Sequence, residues 1–464
     1  MTRFSTIRAI IFELFTAFLV INQINSAAVN TEKPPVLNVA IIGAGTSGLA
    51  ISRYLLAEKY NVTIYEQSEQ FGGIWWYTDK TGKDQYGVGV HSAMYQGLRT
   101  NLPHQLMEFP DFPYPNGTIP YPPQADVLNY LHSYADHYDI KKHIKLNHLV
   151  IRVLPIEDDK WEVIVKDLPN NEFQTLTYDY VFVCNGHFSS PRYPSIPGIK
   201  EFEGKMLHSH DYRKPESFQD ESVLVIGLGP SGMDITGQLS KVATRITFSQ
   251  FKRPNETKEE REHRKSLLPP KTTLQDDVKR FTTNGAEFID GTHETFSAVI
   301  FATGYNFTYP FLSVDTGVQV DENCVSPLYK QIFNIEYPTM VFIGVPFTAC
   351  TTRVYDLQAR FAMKFITGQK ELPSKSEMYS DMQFQLKEHY GKGYRKRYTH
   401  YLGKEQKEYF KQLSEIADID NIPSVMADMH YDARATILKD PAEFRKYKYT
   451  IIDDNTFTKE RHED

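Results

Sequence analysis

Two glycine-rich turns with the same spacing are the residues of this sequence best suited to chemistry. The first, at residues 43–48, reads GAGTSG, and the second, at residues 227–232, reads GLGPSG. In such a turn the first glycine permits a sharp bend, the second lets the backbone approach a pyrophosphate, and the third lets a helix pack on the preceding strand. Backbone N–H groups at the start of that helix can then bind phosphate. Both turns therefore predict dinucleotide sites.

The side chains that follow the two turns distinguish the two dinucleotides. A helix and a strand lead from the first turn to Glu66, whose carboxylate can accept hydrogen bonds from an unphosphorylated ribose such as that of FAD. After the corresponding strand of the second unit, Lys252 and Arg253 stand in place of the acid. They would attract the 2′-phosphate of NADPH, or they would be two ordinary solvated charges. We predict FAD at the first turn and NADPH at the second.

Repeated strands and helices are expected to hold both turns. Strands are predicted at 36–42, 62–65, 223–226 and 245–248, and helices at 49–58 and from the second turn to about residue 239. A second repeat aligns residues 180–186 with residues 298–304, because each is a buried strand that ends in a small residue, a polar residue and a glycine. The pattern indicates that one structural unit is duplicated. A hairpin of strands at 161–165 and 176–178 is expected before the second copy.

The spacing of these elements predicts an α/β fold with two dinucleotide-binding Rossmann-like domains, the NADP domain being inserted into the FAD domain. The expected segments are a signal peptide at 1–28, the first part of the FAD-binding domain at 29–190, the NADP-binding domain at 191–298, and the second part of the FAD-binding domain with C-terminal helices at 299–464. Those charged helices, clearest at 380–415, would cover the flavin domain or form a homo-oligomer contact.

Composition excludes several other classes of protein. The net charge of −7 comes from 51 basic and 58 acidic residues without long runs, which argues against a nucleic-acid surface. The three cysteines, Cys184, Cys324 and Cys350, are far apart and form no CxxC. This excludes a dithiol redox centre and a cysteine-rich zinc site, and no histidine spacing suggests another metal.

The N-terminus is typical of a targeting segment. Arg3 and Arg8 precede an apolar run at 14–21, and Ser26 is followed by two alanines at a plausible cleavage point. Secretion after cleavage is expected, with an ER-lumenal protein or an uncleaved N-terminal anchor as alternatives. No integral membrane tail or retrieval signal is expected, since the sequence ends in RHED.

Short motifs between and around the turns resemble those of flavin-containing monooxygenases. FxGxxxH followed by an aromatic residue spans Phe202 to Tyr212, and FATGY spans Phe301 to Tyr305. The resemblance covers about residues 36 to 370 and includes GGIW at 72–75, LRTN at 98–101 and QARF at 358–361.

The resemblance implies that NADPH reduces FAD, that oxygen adds to the flavin, and that the C4a-hydroperoxide passes one oxygen atom to an amine or sulfide substrate. Tyr212 with Pro215 stands where Baeyer–Villiger monooxygenases usually carry Trp-Pro, which favours N- or S-oxygenation. A Baeyer–Villiger or N-hydroxylating enzyme and a secreted flavin-binding protein without turnover remain alternatives. The termini resemble those of insect flavin monooxygenases, which include secreted N-oxygenases of plant pyrrolizidine alkaloids.

Asn101 is the predicted catalytic residue, because a neutral amide can hydrogen-bond to a flavin peroxide without readily protonating it. The alternative role for Asn101 is to cap a turn before Pro103. The residues predicted to bind the two cofactors are Gly43, Ala44, Gly45, Thr46, Ser47, Gly48, Glu66, Gly73, Ile74, Trp75, Thr100, Asn101, Gly227, Gly229, Ser231, Gly232, Met233, Asp234, Lys252, Arg253, Thr303 and Gly304.

Overall fold

The computed structural model describes residues 36–227, 229–250 and 257–461. The expected signal segment at 1–28, together with Lys252 and Arg253, lies outside the described residues. The α-helices are α1 Thr46–Ala57, α2 Gln124–His137, α3 Pro230–Leu239, α4 Lys258–Ser266, α5 Thr351–Ile366, α6 Lys375–Gly391, α7 Gln406–Ala417 and α8 Ser424–Lys439. None of these helices is long and apolar enough to cross a membrane.

The strands of the described residues belong to one mainly parallel sheet with an antiparallel edge, one parallel sheet, and several small antiparallel sheets. They are β1 Asn38–Ile42, β2 Asn61–Tyr65, β3 Ile144–Lys145, β4 His148–Pro155, β5 Trp161–Asp167, β6 Glu172–Tyr178, β7 Tyr180–Val183, β8 Lys205–His208, β9 Ser222–Ile226, β10 Arg245–Ser249, β11 Thr272–Gln275, β12 Val278–Thr282, β13 Gly285–Phe288, β14 His293–Thr295, β15 Ala298–Phe301, β16 Gln319–Asp321, β17 Cys324–Ser326, β18 Leu328–Tyr329, β19 Phe333–Asn334, β20 Met340–Phe342, β21 Tyr447–Ile451 and β22 Phe457–Arg461.

The first sheet has the strand order β18-β19-β20-β7-β1-β2-β3. Its centre is parallel, since β1 pairs in parallel with both β2 and β7. Side chains alternate along β1, so that Val39 and Ile41 enter one hydrophobic cluster while Ala40 and Ile42 enter another. A strand buried on both faces reads as a continuous apolar run, which is why the sequence identified it.

The second sheet has the order β11-β10-β9-β15-β8, and all its neighbouring strands are parallel. These strands fall between residues 205 and 301, whereas the first sheet takes strands from before and after that stretch. The second unit is therefore inserted into the first, as the sequence predicted. Because β15 pairs with β9, the second sheet extends past residue 298 to Phe301.

Both parallel sheets are covered in the same way. One face of the first sheet packs on α1 and α5, and its other face packs on the antiparallel sheet of β4, β5 and β6. One face of the second sheet packs on α3, and its other face packs on the antiparallel sheet of β12, β13 and β14. The hairpin predicted at 161–165 and 176–178 is confirmed as β5 and β6, and β4 adds a third strand to it.

The C-terminal segment differs in part from the expectation of charged helices. Helices α6, α7 and α8 are present, but residues 392–405 interrupt the stretch expected at 380–415. The last residues form the hairpin β21–β22, so the expectation of helices to the end of the chain was wrong. Tyr449 is buried between two exposed neighbours, and Asp453 accepts hydrogen bonds from the N–H groups of Asn455 and Thr456 in the turn. Two-residue alternation with a polar turn favours a hairpin.

The third glycine of each turn lies where no side chain fits. A Cβ on Gly48 would lie 2.0 Å from the carbonyl oxygen of Gly43, and a Cβ on Gly232 would lie 2.0 Å from that of Gly227. Each helix therefore rests directly on the backbone of its own turn. This contact fixes the start of the helix at the carboxyl end of the central strand.

Gly232→Ala should lower the free energy of unfolding by about 3 kcal/mol, because the new methyl group overlaps a backbone oxygen that has no space to move. Gly237→Ala is the matched control in the same helix. A Cβ at Gly237 meets nothing within 4 Å, so alanine should be neutral or stabilise the helix by up to about 1 kcal/mol. Urea unfolding followed by circular dichroism measures both changes, and equal stabilities of the two variants would contradict the prediction.

Candidate active site

The first turn leaves the start of α1 open to a ligand. Gly43 has a φ of +102°, and its N–H donates to the carbonyl of Tyr65 at 2.8 Å. Gly45 precedes the helix, and no side chain caps it. The first residues of the helix, Thr46 and Ser47, border the main cavity. Uncapped N–H groups beside a cavity are what a pyrophosphate requires.

Glu66 lies at the end of β2, where its buried carboxylate is held by backbone donors. The N–H of Ala44 donates to Oε2 at 3.0 Å, and the N–H of Ser68 donates to Oε1 at 2.9 Å. Each oxygen keeps a lone pair for a further donor, because a carboxylate oxygen can accept two hydrogen bonds. The acid predicted from the sequence is therefore fixed beside the first turn.

A second backbone segment lies against the first turn. The N–H of Gly72 donates to the carbonyl of Ala44 at 3.0 Å, and a Cβ on Gly73 would lie 3.1 Å from the Cα of Gly45. The following residues, Ile74 and Trp75, line the cavity, and their carbonyls accept hydrogen bonds from Ser92 and Gln124 respectively. This segment narrows the cavity beside the first turn.

The second turn repeats the geometry of the first. Gly227 has a φ of +115°, and a Cβ there would lie 2.3 Å from the carbonyl oxygen of Ala302, just as one on Gly43 would lie 2.6 Å from that of Cys184. Around Gly229 there is open space, and no side chain caps α3. Ser231 and Met233 line the cavity on the first turn of the helix.

Thr303 and Gly304 follow β15, next to the second turn. Thr303 and Gly304 line the cavity, and the carbonyl of Gly304 accepts from the N–H of Arg192 at 2.9 Å. The Thr303 hydroxyl donates to the carbonyl of Arg192, so its proton is already used in a hydrogen bond within the protein. Of the predicted residues of the second site, Lys252 and Arg253 lie outside the described residues.

Asn101 and Thr100 border the same cavity. The Thr100 side chain is buried, and its hydroxyl has no hydrogen-bond partner among the described residues. A buried hydroxyl at a cavity wall is costly unless a ligand binds it. The segment that carries both residues is fixed by Arg445, which donates to the carbonyls of Thr100 at 3.1 Å and Arg99 at 3.2 Å.

Arg445 also joins this segment to the second turn. Its guanidinium donates to Oδ1 of Asp234 at 3.1 Å, and the hydroxyl of Tyr95 donates to Oδ2 at 2.8 Å. The Asp234 side chain is thus engaged by two other segments, although the sequence suggested a cofactor role for it. Sequence reasoning missed Tyr95 and Arg445, because neither lies in a motif and their partners are far away along the chain.

One continuous cavity of about 2650 Å³ connects the two turns, Glu66, Asn101 and Gly304. Its volume exceeds the roughly 300–1,000 Å³ of an ordinary small-molecule site. Two dinucleotides and a substrate therefore have room in a single space. The arrangement can place two cofactors in contact.

His208, from the motif between the turns, is fully buried beside the cavity residue Tyr305. Its Nδ1 accepts a hydrogen bond from the N–H of His210 at 3.1 Å. Burial, helped by the charge of His210, lowers the pKa of His208 to about 4. A neutral, weakly basic ring at this position supports a structural role rather than that of a general base.

The profile of the family described as "Flavin-binding monooxygenase-like" matches residues 37–254 and 256–450. The chain belongs to this family. It is thus a flavin-binding monooxygenase, and this assignment favours an enzyme over a flavin-binding protein without turnover.

Relatives of this monooxygenase come from animals and plants. Senecionine N-oxygenase of Tyria jacobaeae is 35% identical over 97% of this chain and 97% of the relative. The flavin-containing monooxygenase FMO GS-OX4 of Arabidopsis thaliana is 36% identical over 84% of this chain and 85% of the relative. The solved S-allyl-L-cysteine S-oxygenase of Allium sativum superposes with a TM-score of 0.80 and 30% identity, covering 88% of this chain and 94% of that one.

The residues present fit FAD and NADPH, the two cofactors expected from the sequence. The two glycine turns allow the backbone to approach a phosphate, and Glu66 places a fixed carboxylate beside the first turn. The Thr100 hydroxyl has no hydrogen-bond partner among the described residues and is available to a ligand. The cavity that joins them is large enough for both dinucleotides. Nothing in this geometry conflicts with the family's cofactors.

Arg445→Ala should reduce the share of consumed NADPH that yields oxygenated product by about tenfold, because small displacements of a reacting group can cost up to about 100-fold in rate. The variant loses the bonds from Arg445 to Thr100, Arg99 and Asp234. Arg461→Ala is the control, since it removes an exposed pair with Glu443 from the hairpin that follows Arg445. Product, NADPH and hydrogen peroxide are quantified together; full coupling in Arg445→Ala would contradict the assignment.

The free energy of unfolding should fall as the pH drops from about 6.5 to 4. In this range the histidine of the unfolded chain, with a pKa near 6.5, becomes protonated, whereas buried His208 in the folded protein stays neutral. The unfolded state then binds more protons than the folded state. His208→Gln should remove up to about 1.4 kcal/mol per pH unit from this slope. Urea unfolding at several pH values measures the slope, and an unchanged slope in the variant would count against a neutral His208.

Proposed function

We propose that this protein is an NADPH- and FAD-dependent monooxygenase that oxygenates soft nucleophilic nitrogen or sulfur atoms of small molecules. The observation that carries the proposal is that both glycine turns and Asn101 border one cavity. Bound FAD, reduced by NADPH, supplies the activation of O2 and the transfer of one oxygen atom.

The first turn with Glu66 is the proposed FAD site, and the second turn is the proposed NADPH site. Glu66 suits a ribose that carries free hydroxyls, whereas Lys252 and Arg253 suit a 2′-phosphate. Uncapped helix starts at both turns supply N–H donors for the pyrophosphates. The NADP-binding part is proposed to span 191–298, with FAD-binding parts at 29–190 and 299–464.

Asn101 is proposed to act at the reacting edge of the flavin. Its amide offers both a donor and an acceptor and carries no charge, so it can hold an oxygen species without passing a proton to it. Arg445 and the paired Asp234 hold the neighbouring backbone in position. Coupling of NADPH oxidation to oxygenation therefore depends on residues of the chain and not on the cofactor alone.

The substrate part of the cavity is formed by aromatic rings, which we name the aromatic wall: His187, Phe188, Phe307 and Phe347. Ring centroids lie 4.0 Å apart for His187 and Phe188 and 5.3 Å apart for His187 and Phe307. Burial lowers the pKa of His187 to about 4, so the wall is uncharged at neutral pH. Apolar walls suit a substrate whose reacting atom is an uncharged amine or thioether.

Two relatives support the proposed reaction from different directions. One relative, similar over 97% of this chain, is a senecionine N-oxygenase, and a structural neighbour is an S-allyl-L-cysteine S-oxygenase. N-oxidation of a tertiary-amine alkaloid is therefore one proposed activity and S-oxidation another. The basic and apolar pattern at residues 3–28 supports secretion as part of the proposal.

Purified protein should be yellow and should consume NADPH faster when a tertiary amine or a thioether is added. The products should be an N-oxide and a sulfoxide, identified by mass spectrometry. A colourless protein that never takes up FAD would overturn the proposed cofactor sites. Conversion of a ketone to an ester, without N- or S-oxide, would establish the Baeyer–Villiger alternative instead.

Asn101→Ala in the same assay should still bind FAD but should give less product and more hydrogen peroxide per NADPH. Loss of one positioned hydrogen-bond donor costs on the order of 100-fold in comparable catalytic sites. Asn170→Ala is the control, because Asn170 is exposed and bonds only to Asp167. An unchanged ratio of product to NADPH in Asn101→Ala would exclude the assigned role.

A further inference from the structure

Three of the arginines that line the main cavity belong to segments joined to the aromatic wall, and we name them the arginine rim: Arg192, Arg395 and Arg397. Arg395 and Arg397 flank Tyr398, with their guanidinium carbons 5.7 Å and 5.5 Å from the centroid of its ring. None of the three arginines pairs with a carboxylate among the described residues. The Arg192 guanidinium donates to the carbonyl of Thr303 at 3.5 Å, a contact that leaves its positive charge uncompensated. Guanidinium groups that line a cavity without a carboxylate partner can bind an anion.

Backbone contacts attach both sides of the rim to the aromatic wall. On one side, Arg192 donates its N–H to Gly304, and the adjacent Tyr305 packs on Phe188 with ring centroids 5.5 Å apart. On the other side, the N–H of Phe347 donates to the carbonyl of His400 at 2.9 Å, and His400 lies three residues after Arg397. The rim is therefore held at a fixed distance from the wall.

The positive charges of the rim lie close enough to repel one another. Burial, followed by the nearby charge of Arg397 and then that of Arg395, lowers the pKa of Arg192, whereas Tyr398 opposes this change. Lys396, which lies between the two other arginines in the sequence, is different because it pairs with Asp321. The segment thus places two arginines at the cavity, whereas the charge of the lysine between them is neutralised by Asp321.

The topology separates the rim from the expected 2′-phosphate site of NADPH. That site is predicted after β10, whereas Arg192 is bonded to Thr303 and Gly304 after β15. In the second sheet, β10 and β15 lie on opposite sides of β9. The rim therefore faces a part of the cavity other than the one that the phosphate would occupy.

We propose that the arginine rim binds the anionic group of the substrate, a carboxylate, sulfonate or sulfate, while the aromatic wall holds the apolar part that carries the amine or thioether. The inference rests on the proposed function and adds a substrate class to it. An anion at the rim would form charge-assisted, two-pronged hydrogen bonds. A substrate with a cationic group at that end would be repelled.

A matched pair of thioethers tests the inference: 4-(methylsulfanyl)benzoate and its neutral amide, 4-(methylsulfanyl)benzamide. The wild-type enzyme should form the sulfoxide of both, with a KM about tenfold lower for the benzoate. Arg192→Gln combined with Arg397→Gln should abolish that preference and leave the KM of the amide and of NADPH unchanged. Calorimetric binding of the benzoate should weaken in the same variant.

Lys396→Gln is the control, because it removes a cation from the same segment but not from the cavity. It should keep the preference for the benzoate. Equal KM values for the two thioethers in the wild type would overturn the inference, as would a rise of the KM for NADPH in the arginine variant. Failure of the wild type to oxygenate either compound would instead count against the proposed function itself.

Discussion

Close contact of bare backbone with bare backbone is the constraint on which this molecule depends. The third glycine of each turn rests on the carbonyl of the first, and the first rests on the carbonyl that follows the neighbouring strand. A methyl group anywhere in these contacts would overlap an oxygen atom. Because the contacts hold, each helix starts at the carboxyl edge of its sheet, where open N–H groups, Glu66 and Gly304 gather at one cavity.

The two sheets share one cavity because polar side chains join segments that are distant in the sequence. Asp234 accepts from Tyr95 and from Arg445, so that the helix of the second turn, the segment before Asn101 and the C-terminal region meet at one carboxylate. Arg213 makes a second connection of this kind. Its buried guanidinium donates to the carbonyls of Lys80, Ser92, His210 and Tyr212. These bonds are partly buried, where a lost partner is expensive.

The parts of the fold that the sequence predicts are those governed by local rules. Strands with two buried faces, glycines that bear close contacts and the acid after β2 are all recognisable without knowledge of distant residues. The junction through Asp234 was not predictable in this way, since Tyr95 and Arg445 lie in no repeating pattern. The final hairpin was mistaken for helix because its Lys and Glu residues favour helices, and burial of Tyr449 decided otherwise.

The position of Arg445 in the sequence bears on the order in which the parts of the site are synthesised. The last strand of either large sheet ends at Phe342, so every strand of both sheets is synthesised before the C-terminal helices and hairpin. Yet the guanidinium contacts to the backbone beside Asn101 come from Arg445, which follows all of these strands in the sequence. Both glycine turns are therefore synthesised before the residue that supports the loop beside them. Formation of the strands alone leaves that loop without the contacts that fix it in the folded protein.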